Sequence, residues 1–253
     1  MRRRALFAAA AIWPTRTADA GPQHLATSSA EHAEVDLSLV LATDVSSSIS
    51  EDEMVLQRQG YCAALTDPLV LRGIATGPHA AIGVAYVEWS GLTFQRLLLP
   101  WARIASAAES EAWAAALLRR PLPAASSRRG TAISRGIAFS LRVLEDTPWA
   151  ATRRVIDICG DGPNNNGEPV EKARDLAVAK GVTLNGLAIE GGPRNETGIA
   201  RPDTVLAYYR AAVIGGPGAF ALEAAGLSDF ADAMRRKLVL EVTGTERAES
   251  AEC

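Results

Sequence analysis

Apolar runs and amphipathic segments alternate along most of the chain. Residues Val35–Thr43 are almost all aliphatic or β-branched, which predicts a buried β-strand. Ser50–Glu53 then carries a capping-box pattern, which predicts the start of a helix. The predicted strands are Val35–Thr43, Ala81–Trp89, Thr93–Leu99, Arg154–Cys159, Val182–Ile189 and Ala219–Leu222. The predicted helices are Asp52–Leu65, Leu69–Ala75, Ser106–Arg119, one that begins at Thr131, Glu168–Lys180, Pro202–Ala212 and Asp229–Leu240.

This alternation predicts the fold class. Strands that alternate with helices form a mainly parallel sheet that is covered on both faces. The connection between the second and third strands is short enough to be a hairpin, so the third strand is expected to be antiparallel. We therefore predict an α/β fold with a doubly wound, Rossmann-like sheet. In such a sheet the first and fourth strands can be neighbours at the switch point.

The overall composition excludes some classes of function. The chain has 253 residues, 48% of them hydrophobic and 22% charged, as expected of a soluble globular protein. The net charge of −3 indicates no basic surface, so we expect no nucleic-acid partner. His24, His32 and His79 are the only histidines, which leaves little material for zinc chemistry or for a Ser-His-Asp triad.

The N-terminus has the three parts of a signal peptide. Met1–Arg4 is positively charged, Ala5–Trp13 is apolar, and Ala18–Ala20 fits a cleavage site. We therefore expect an exported, periplasmic or secreted protein with no stable membrane span in the mature chain; the alternative is an alanine-rich N-terminal helix. The predicted division is a signal peptide at 1–20, a linker at 21–34, one domain at 35–243 and a disordered tail at 244–253.

Three cysteines are an odd number for an exported chain. Cys62 and Cys159 could form a disulfide bond, but the pattern favours two small buried residues. Cys253 is the last residue of the polar tail and is expected to be an exposed thiol.

A cluster of oxygen donors follows the first predicted strand. Asp44, Ser46 and Ser48 lie where this strand turns into a helix. In open α/β sheets, ligands bind at this edge. Hard oxygen donors without histidine or cysteine suit Mg²⁺ or Mn²⁺ better than zinc. The alternative is that these residues only cap the helix.

Two further donors are expected at the same edge of the sheet. Thr131 begins a helix, and Asp161 ends the fourth strand in the sequence Gly160-Asp161-Gly162. If the first and fourth strands are neighbours, three loops bring all five donors towards one cation. Taken singly, Thr131 could be a helix N-cap and Asp161 a turn residue.

These motifs resemble those of the von Willebrand factor type A domain. Its metal-ion-dependent adhesion site combines a D-x-S-x-S loop, a threonine at a later helix and an Asp-Gly after the fourth strand. The resemblance covers about residues 35–243 and is closer still to an uncharacterised group of exported bacterial proteins with this domain. The matching segments are Gly60–Leu65 (G-Y-C-A-A-L), Tyr86–Ser90 (Y-V-E-W-S), Gly130–Ile133 (G-T-A-I), Cys159–Gly167 (C-G-D-G-P-N-N-N-G) and Val213–Phe220 (V-I-G-G-P-G-A-F).

The sequence departs from the family pattern at two positions. Ser47 stands where glycine is usual, and it would be strained if this position needs a positive φ. Cys159 stands where serine is usual.

The resemblance implies a role for each donor. The hydroxyls of Ser46 and Ser48 would bind the metal directly, and Thr131 would bind directly or through water. Asp44 and Asp161 would act mostly through bound waters. The implied cofactor is Mg²⁺ or Mn²⁺, with Ca²⁺ less well suited, and an open coordination position would accept a carboxylate from a partner.

The resulting hypothesis is an exported, metal-dependent module that captures a protein partner by an acidic side chain. It is not expected to be an enzyme, because no general base or nucleophile arrangement is evident. The alternatives are a metal-assisted hydrolase that uses the same cluster and a structural domain with an empty site. Among nearby residues, Asp157 is interpreted as structural, and Asn164–Gly167 as turns that could contact a ligand. Arg128-Arg129 is interpreted as part of a solvated loop; the alternative is that it steers an acidic partner towards the metal.

Overall fold

The computed structural model describes residues 34–190 and 204–244, in which strands and helices follow one another in the predicted order. The strands are β1 (Glu34–Asp44), β2 (Ile82–Trp89), β3 (Gln95–Ile104), β4 (Ala150–Gly160), β5 (Thr183–Ile189) and β6 (Ala221–Ala224). The helices are α1 (Glu51–Leu65), α2 (Pro68–Ala75), α3 (Ala107–Leu118), α4 (Ile133–Glu145), α5 (Val170–Ala179), α6 (Val205–Tyr208) and α7 (Phe230–Thr243). Helix α6 continues directly into a π-helical segment, Tyr209–Val213.

The six strands form one sheet in the order β3-β2-β1-β4-β5-β6. Strand β1 is parallel to both β2 and β4, and β3 is antiparallel to β2. This order is that of a doubly wound sheet, with the switch point between β1 and β4. The predicted fold class and the predicted neighbourhood of the first and fourth strands are therefore confirmed. Because β1 and β4 are parallel, their carboxyl ends meet at the same edge of the sheet.

Helices cover both faces of the sheet, as predicted. Helices α1, α2, α3 and α7 form one apolar layer, in which Tyr61 of α1 packs edge-on against Phe230 of α7 at 5.4 Å between ring centres. Helices α4 and α5 and the segment from Val205 to Val213 form the other layer. Strand β1 is buried between the two layers over its whole length after Glu34. This burial explains why most of its residues are apolar, with an unbroken apolar run at Leu39–Ala42.

Two predicted boundaries differ from the structure for physical reasons. The third strand was expected to end at Leu99, before Pro100, but β3 continues to Ile104. Strand β3 lies at the edge of the sheet, where a proline removes no necessary ladder hydrogen bond. Helix α4 begins at Ile133 after the N-cap residue Ala132, so the interpretation of Thr131 as the N-cap is wrong.

Cys62 and Cys159 are both buried and both free, which excludes the disulfide alternative between them. Cys253, the predicted signal peptide, nearly all of the linker and the tail after Gly244 lie outside the described residues. Within ranges 34–190 and 204–244, no helix combines the length and the hydropathy that crossing a bilayer requires.

Candidate metal centre

The loop after β1 holds three of the predicted donors in one chain of contacts. Asp44 is fully buried, and its Oδ1 accepts a 2.7 Å hydrogen bond from the backbone N–H of Ser46. The hydroxyls of Ser46 and Ser48 are 3.1 Å apart. Ser47 does not have a positive φ, so the strain that its departure from the family pattern suggested is not present. The sequence of the loop therefore fits its backbone.

The loop after β4 meets this first loop. The Ser48 hydroxyl, which is exposed, donates a 3.1 Å hydrogen bond to Oδ1 of Asp161. Asp161 directly follows Gly160, the last residue of β4. Four of the five predicted donors are therefore gathered where the carboxyl ends of β1 and β4 meet.

Thr131 is attached to the same region through its backbone. Its N–H donates to Oδ1 of Asn165 at 2.8 Å, and its carbonyl accepts from the N–H of Asn165 at 2.9 Å. Next to it, the N–H of Ala132 donates to the carbonyl of Ser90, at the end of β2, at 2.7 Å. The loop that carries Thr131 is thus fixed to the loops that follow β2 and β4.

The sequence predicted turns at Asn164–Gly167, but the structure has no turn at Asn164 or Asn165, and both side chains bind neighbouring segments. Asn164 Oδ1 accepts from the backbone N–H of Ser134 at 3.2 Å, beside the bonds between Asn165 and Thr131. The backbone N–H of Asn164 donates in turn to the hydroxyl of Tyr208 at 3.2 Å. The two asparagines therefore connect the loop after β4 to the start of α4 and to the end of α6.

Arg128 is a residue whose role the sequence did not indicate. It was interpreted as part of a solvated loop, but it is buried and donates to the backbone carbonyl of Ile49 at 2.7 Å. Arg129 is exposed, as predicted. An arginine in a loop rich in serine and arginine carries no signal of burial, because its partners are backbone carbonyls far away in sequence.

The carboxylates of Asp44 and Asp161 repel each other at this edge of the sheet. Burial raises the pKa of Asp44 well above its usual range, and the charge of Asp161 raises this pKa further. Hydrogen bonds from Ser46 act in the opposite direction. Oδ2 of Asp44 is buried and has no hydrogen-bond partner within the described part of the chain. A nearby positive charge would relieve both the burial cost and the repulsion.

The donor set fits a hard cation. Asp44, Asp161 and the three hydroxyl residues offer only oxygen atoms, which Mg²⁺ and Mn²⁺ prefer. In ranges 34–190 and 204–244, no three His, Cys, Asp or Glu side chains are grouped so that they could hold a metal ion. A cation at this edge would therefore depend on the hydroxyls of the serines and the threonine.

Asp157 is structural, as predicted. On β4, it forms a 2.8 Å ion pair with Lys237, which is fully buried on α7. Lys237 also contacts Glu241 at 2.6 Å, and Glu241 accepts a hydrogen bond from the side chain of Asn185 on β5. This buried network joins α7 to the two strands.

Sequence comparison places the chain in a defined group. A family model described as "Protein of unknown function (DUF1194)" matches residues 34–246. No curated protein is similar enough in sequence to count as a match.

Several solved structures share the fold at low sequence identity. The pilus adhesin SpaC from Lactobacillus rhamnosus GG is 12% identical with a TM-score of 0.58, over 82% of this chain and 30% of that chain. A von Willebrand factor type A protein from Catenulispora acidiphila is 15% identical with a TM-score of 0.54, over 82% and 43%. Proximal thread matrix protein 1 from the mussel byssus, whose MIDAS motif is occupied by zinc, is 16% identical with a TM-score of 0.56, over 83% and 49%. The chain spans less than half of each of these structures, and the similarity shows a von Willebrand factor type A fold.

Proposed function

Because the chain belongs to the DUF1194 family, whose function is unknown, its role has to follow from its own residues, and we propose that it is an exported module that binds a protein partner through a divalent cation. Mg²⁺ or Mn²⁺ is the cation that suits the donor set. The proposed metal ligands, direct or through water, are Asp44, Ser46, Ser48, Thr131 and Asp161.

One observation carries this proposal. Asp44 is a fully buried carboxylate with an unpartnered oxygen, Oδ2, and the charge of Asp161 disfavours its ionised form. Burying a carboxylate without a counter-charge costs several kcal/mol, by the order of magnitude known for buried ions. Ser48 connects the two sides, because its hydroxyl contacts both Ser46 and Asp161. A cation among these oxygens offsets the cost, which favours a metal site over simple helix capping.

Each of these residues would have its own role in holding the metal. Ser46 and Ser48 would offer neutral hydroxyl oxygens directly, and Thr131 would add a third. Asp44 and Asp161 would hold bound waters and orient the serines. When bound, the metal would retain much of its positive charge and present an open position to a carboxylate.

A protein partner is supported by the position of the site. Ser48 is exposed, so an acidic side chain could reach this edge. Arg129 is exposed too and, two residues before Thr131, would provide a basic group in the same loop. One structure with the same fold is a pilus adhesin, and another carries zinc in its MIDAS motif. The signal-peptide pattern at residues 1–20 supports a location outside the cytoplasm.

A thermal-shift experiment tests the metal part. We expect Mg²⁺ or Mn²⁺ to raise the melting temperature of the wild-type protein, because a ligand that binds only the native state stabilises it. Asp44→Ala should abolish this rise. Asp146→Ala, which removes an exposed aspartate after α4, should leave it unchanged. The absence of any metal response in the wild type would contradict the proposal and leave a structural domain.

A column experiment tests the partner. Immobilised wild-type protein should retain a periplasmic protein in Mg²⁺ and release it when a chelator is added, whereas immobilised Asp44→Ala should retain none. Metal-dependent turnover of a phosphate or an ester that is lost in Asp44→Ala would support a hydrolase instead.

A further inference from the structure

Two buried polar atoms lie close to Gly160, next to the candidate metal centre. A Cβ atom at Gly160 would lie 2.8 Å from the hydroxyl of Tyr209 and 3.3 Å from Oδ2 of Asp44. Both atoms are buried, and neither has a hydrogen-bond partner within the part of the chain that the structure describes. Tyr209 itself is fully buried. The missing side chain of Gly160 therefore leaves the space in which the phenol approaches the carboxylate.

The backbone around Tyr209 is unusual in a way that concerns the same site. Tyr209 is the first residue of the π-helical segment that follows α6. Such segments are rare and occur frequently at functional sites. Tyr208, the residue before it, accepts a hydrogen bond from the N–H of Asn164, in the loop that carries Asp161. Two consecutive tyrosines thus contact this region: Tyr208 binds Asn164 in the loop, and Tyr209 lies next to Gly160, after which the loop begins.

We propose that Tyr209 is a positioning residue of the metal centre, whose hydroxyl donates a hydrogen bond to Oδ2 of Asp44. In the metal-loaded protein this bond would form directly, after a shift of the phenol, or through one bridging water. The inference rests on the proposed function and extends it with a residue outside the set of metal ligands. The phenol would keep the carboxylate in the orientation in which it holds a metal-bound water.

The expected loss of metal affinity on removal of the Tyr209 hydroxyl follows from this positioning role. Groups that orient metal ligands from outside typically contribute 10- to 100-fold in metal affinity. Tyr209→Phe should therefore weaken Mn²⁺ binding by about 10- to 100-fold. The melting temperature without metal should change little, because in that state the hydroxyl has no bond to lose.

Tyr86→Phe is the matched control. Tyr86 is also fully buried, and its hydroxyl also lacks a hydrogen-bond partner among the described residues, but it lies on β2 in the layer of α1 and α7. Titrations of Mn²⁺ by electron paramagnetic resonance measure the affinities of the wild type, Tyr86→Phe and Tyr209→Phe. The control should bind as the wild type does.

An ultraviolet difference spectrum on addition of Mg²⁺ provides a second readout. At saturating Mg²⁺, metal binding should perturb a tyrosine, and this signal should persist in Tyr61→Phe, Tyr86→Phe and Tyr208→Phe but disappear in Tyr209→Phe. If Tyr209→Phe does not fold, persistence of the signal in the other three variants supports the inference, because the chain has four tyrosines, and a wild type without any tyrosine signal overturns it.

The outcomes separate the two proposals. Equal Mn²⁺ affinity in the wild type and Tyr209→Phe overturns the role of Tyr209 and leaves the metal site intact. A wild type that does not bind Mn²⁺ at millimolar concentrations overturns the proposed function and this inference with it.

Discussion

The guanidinium of Arg128 donates a 2.7 Å hydrogen bond to the backbone carbonyl of Ile49, 79 positions earlier in the chain. The same Nη1 lies 3.4 Å from the carbonyl of Ser46. This buried side chain therefore connects the loop before α4 to the loop that carries the D-x-S-x-S motif. The connection holds both ends of the segment Ser46–Ile49, which contains the two serines.

Replacement of Arg128 should destabilise this connection. Hydrogen bonds to charged groups contribute about 1.5 to 3 kcal/mol, so Arg128→Met should lower the free energy of unfolding by about 2 to 3 kcal/mol. Arg129→Met is the matched control. Arg129 is exposed, so its replacement should change the free energy of unfolding by less than about 0.5 kcal/mol. Urea denaturation measures both. Equal effects of the two substitutions would show that the buried contacts of Arg128 do not stabilise the loop.

Much of the fold follows from the sequence because the signals are local. Val35–Thr43 is apolar because β1 is covered on both faces, and Ser50 and Glu53 form the expected capping box. The alternation of strands and helices then restricts the possible topologies to a few. The predicted third strand ended too early, at Leu99, because whether a strand can continue through a proline such as Pro100 depends on its position in the sheet.

The candidate site was predictable only in part. The strand order explains why Ser48 contacts Asp161, and the motif spacing indicated both residues. Their roles as metal ligands stay a prediction. Arg128 and Tyr209 were not indicated as parts of the site, because each meets its partner through tertiary structure and neither belongs to a short motif. Asn165 lies in the motif Cys159–Gly167, but its bonds to Thr131 were not predicted. Buried arginine or tyrosine side chains have no periodic pattern that distinguishes them from exposed or purely apolar ones.

Asn165 should control the position of Thr131. Asn165→Ala removes the acceptor for the N–H of Thr131, and an unsatisfied donor of this kind costs about 1 to 3 kcal/mol. Asn165→Asp keeps an acceptor oxygen at the same place and should retain most of the stability. Chemical denaturation of the three proteins measures the difference. Equally large losses in both variants would mean that the bond to Thr131 is not what matters at this position.

Replacement of Lys237 should destabilise the protein far more than replacement of its exposed neighbours on α7. It is fully buried between Asp157 and Glu241, so Lys237→Met leaves two buried carboxylates without their cation. We expect a loss of about 3 to 5 kcal/mol in the free energy of unfolding. Arg236→Met, which removes a half-exposed partner of Asp229, should cost less than about 1 kcal/mol.

A compensated variant tests the cause of that loss. Combining Lys237→Met with Asp157→Asn and Glu241→Gln removes the uncompensated charges, and it should recover much of the stability. Thermal or urea unfolding gives the comparison. A triple variant as unstable as Lys237→Met would indicate that packing at position 237, and not charge, is responsible.

The same network should make stability depend on pH. Burial raises the pKa of Asp157 from 3.8 to about 6; the charge of Lys237 opposes this rise and that of Glu241 adds to it. Because the folded state then binds the proton more tightly than the unfolded state, the stability that Asp157 contributes is present at low pH. It should fall as the pH rises from about 4 to about 6 and stay lost above that range.

Urea unfolding of the wild type and Asp157→Asn across this range isolates the effect, since the variant lacks the titrating group. The stability of the wild type relative to Asp157→Asn should decrease with rising pH, whereas relative to Asp146→Asn, an exposed site, it should show no such trend. A relative stability that is constant or increases over this range would mean that folding does not raise the pKa of Asp157.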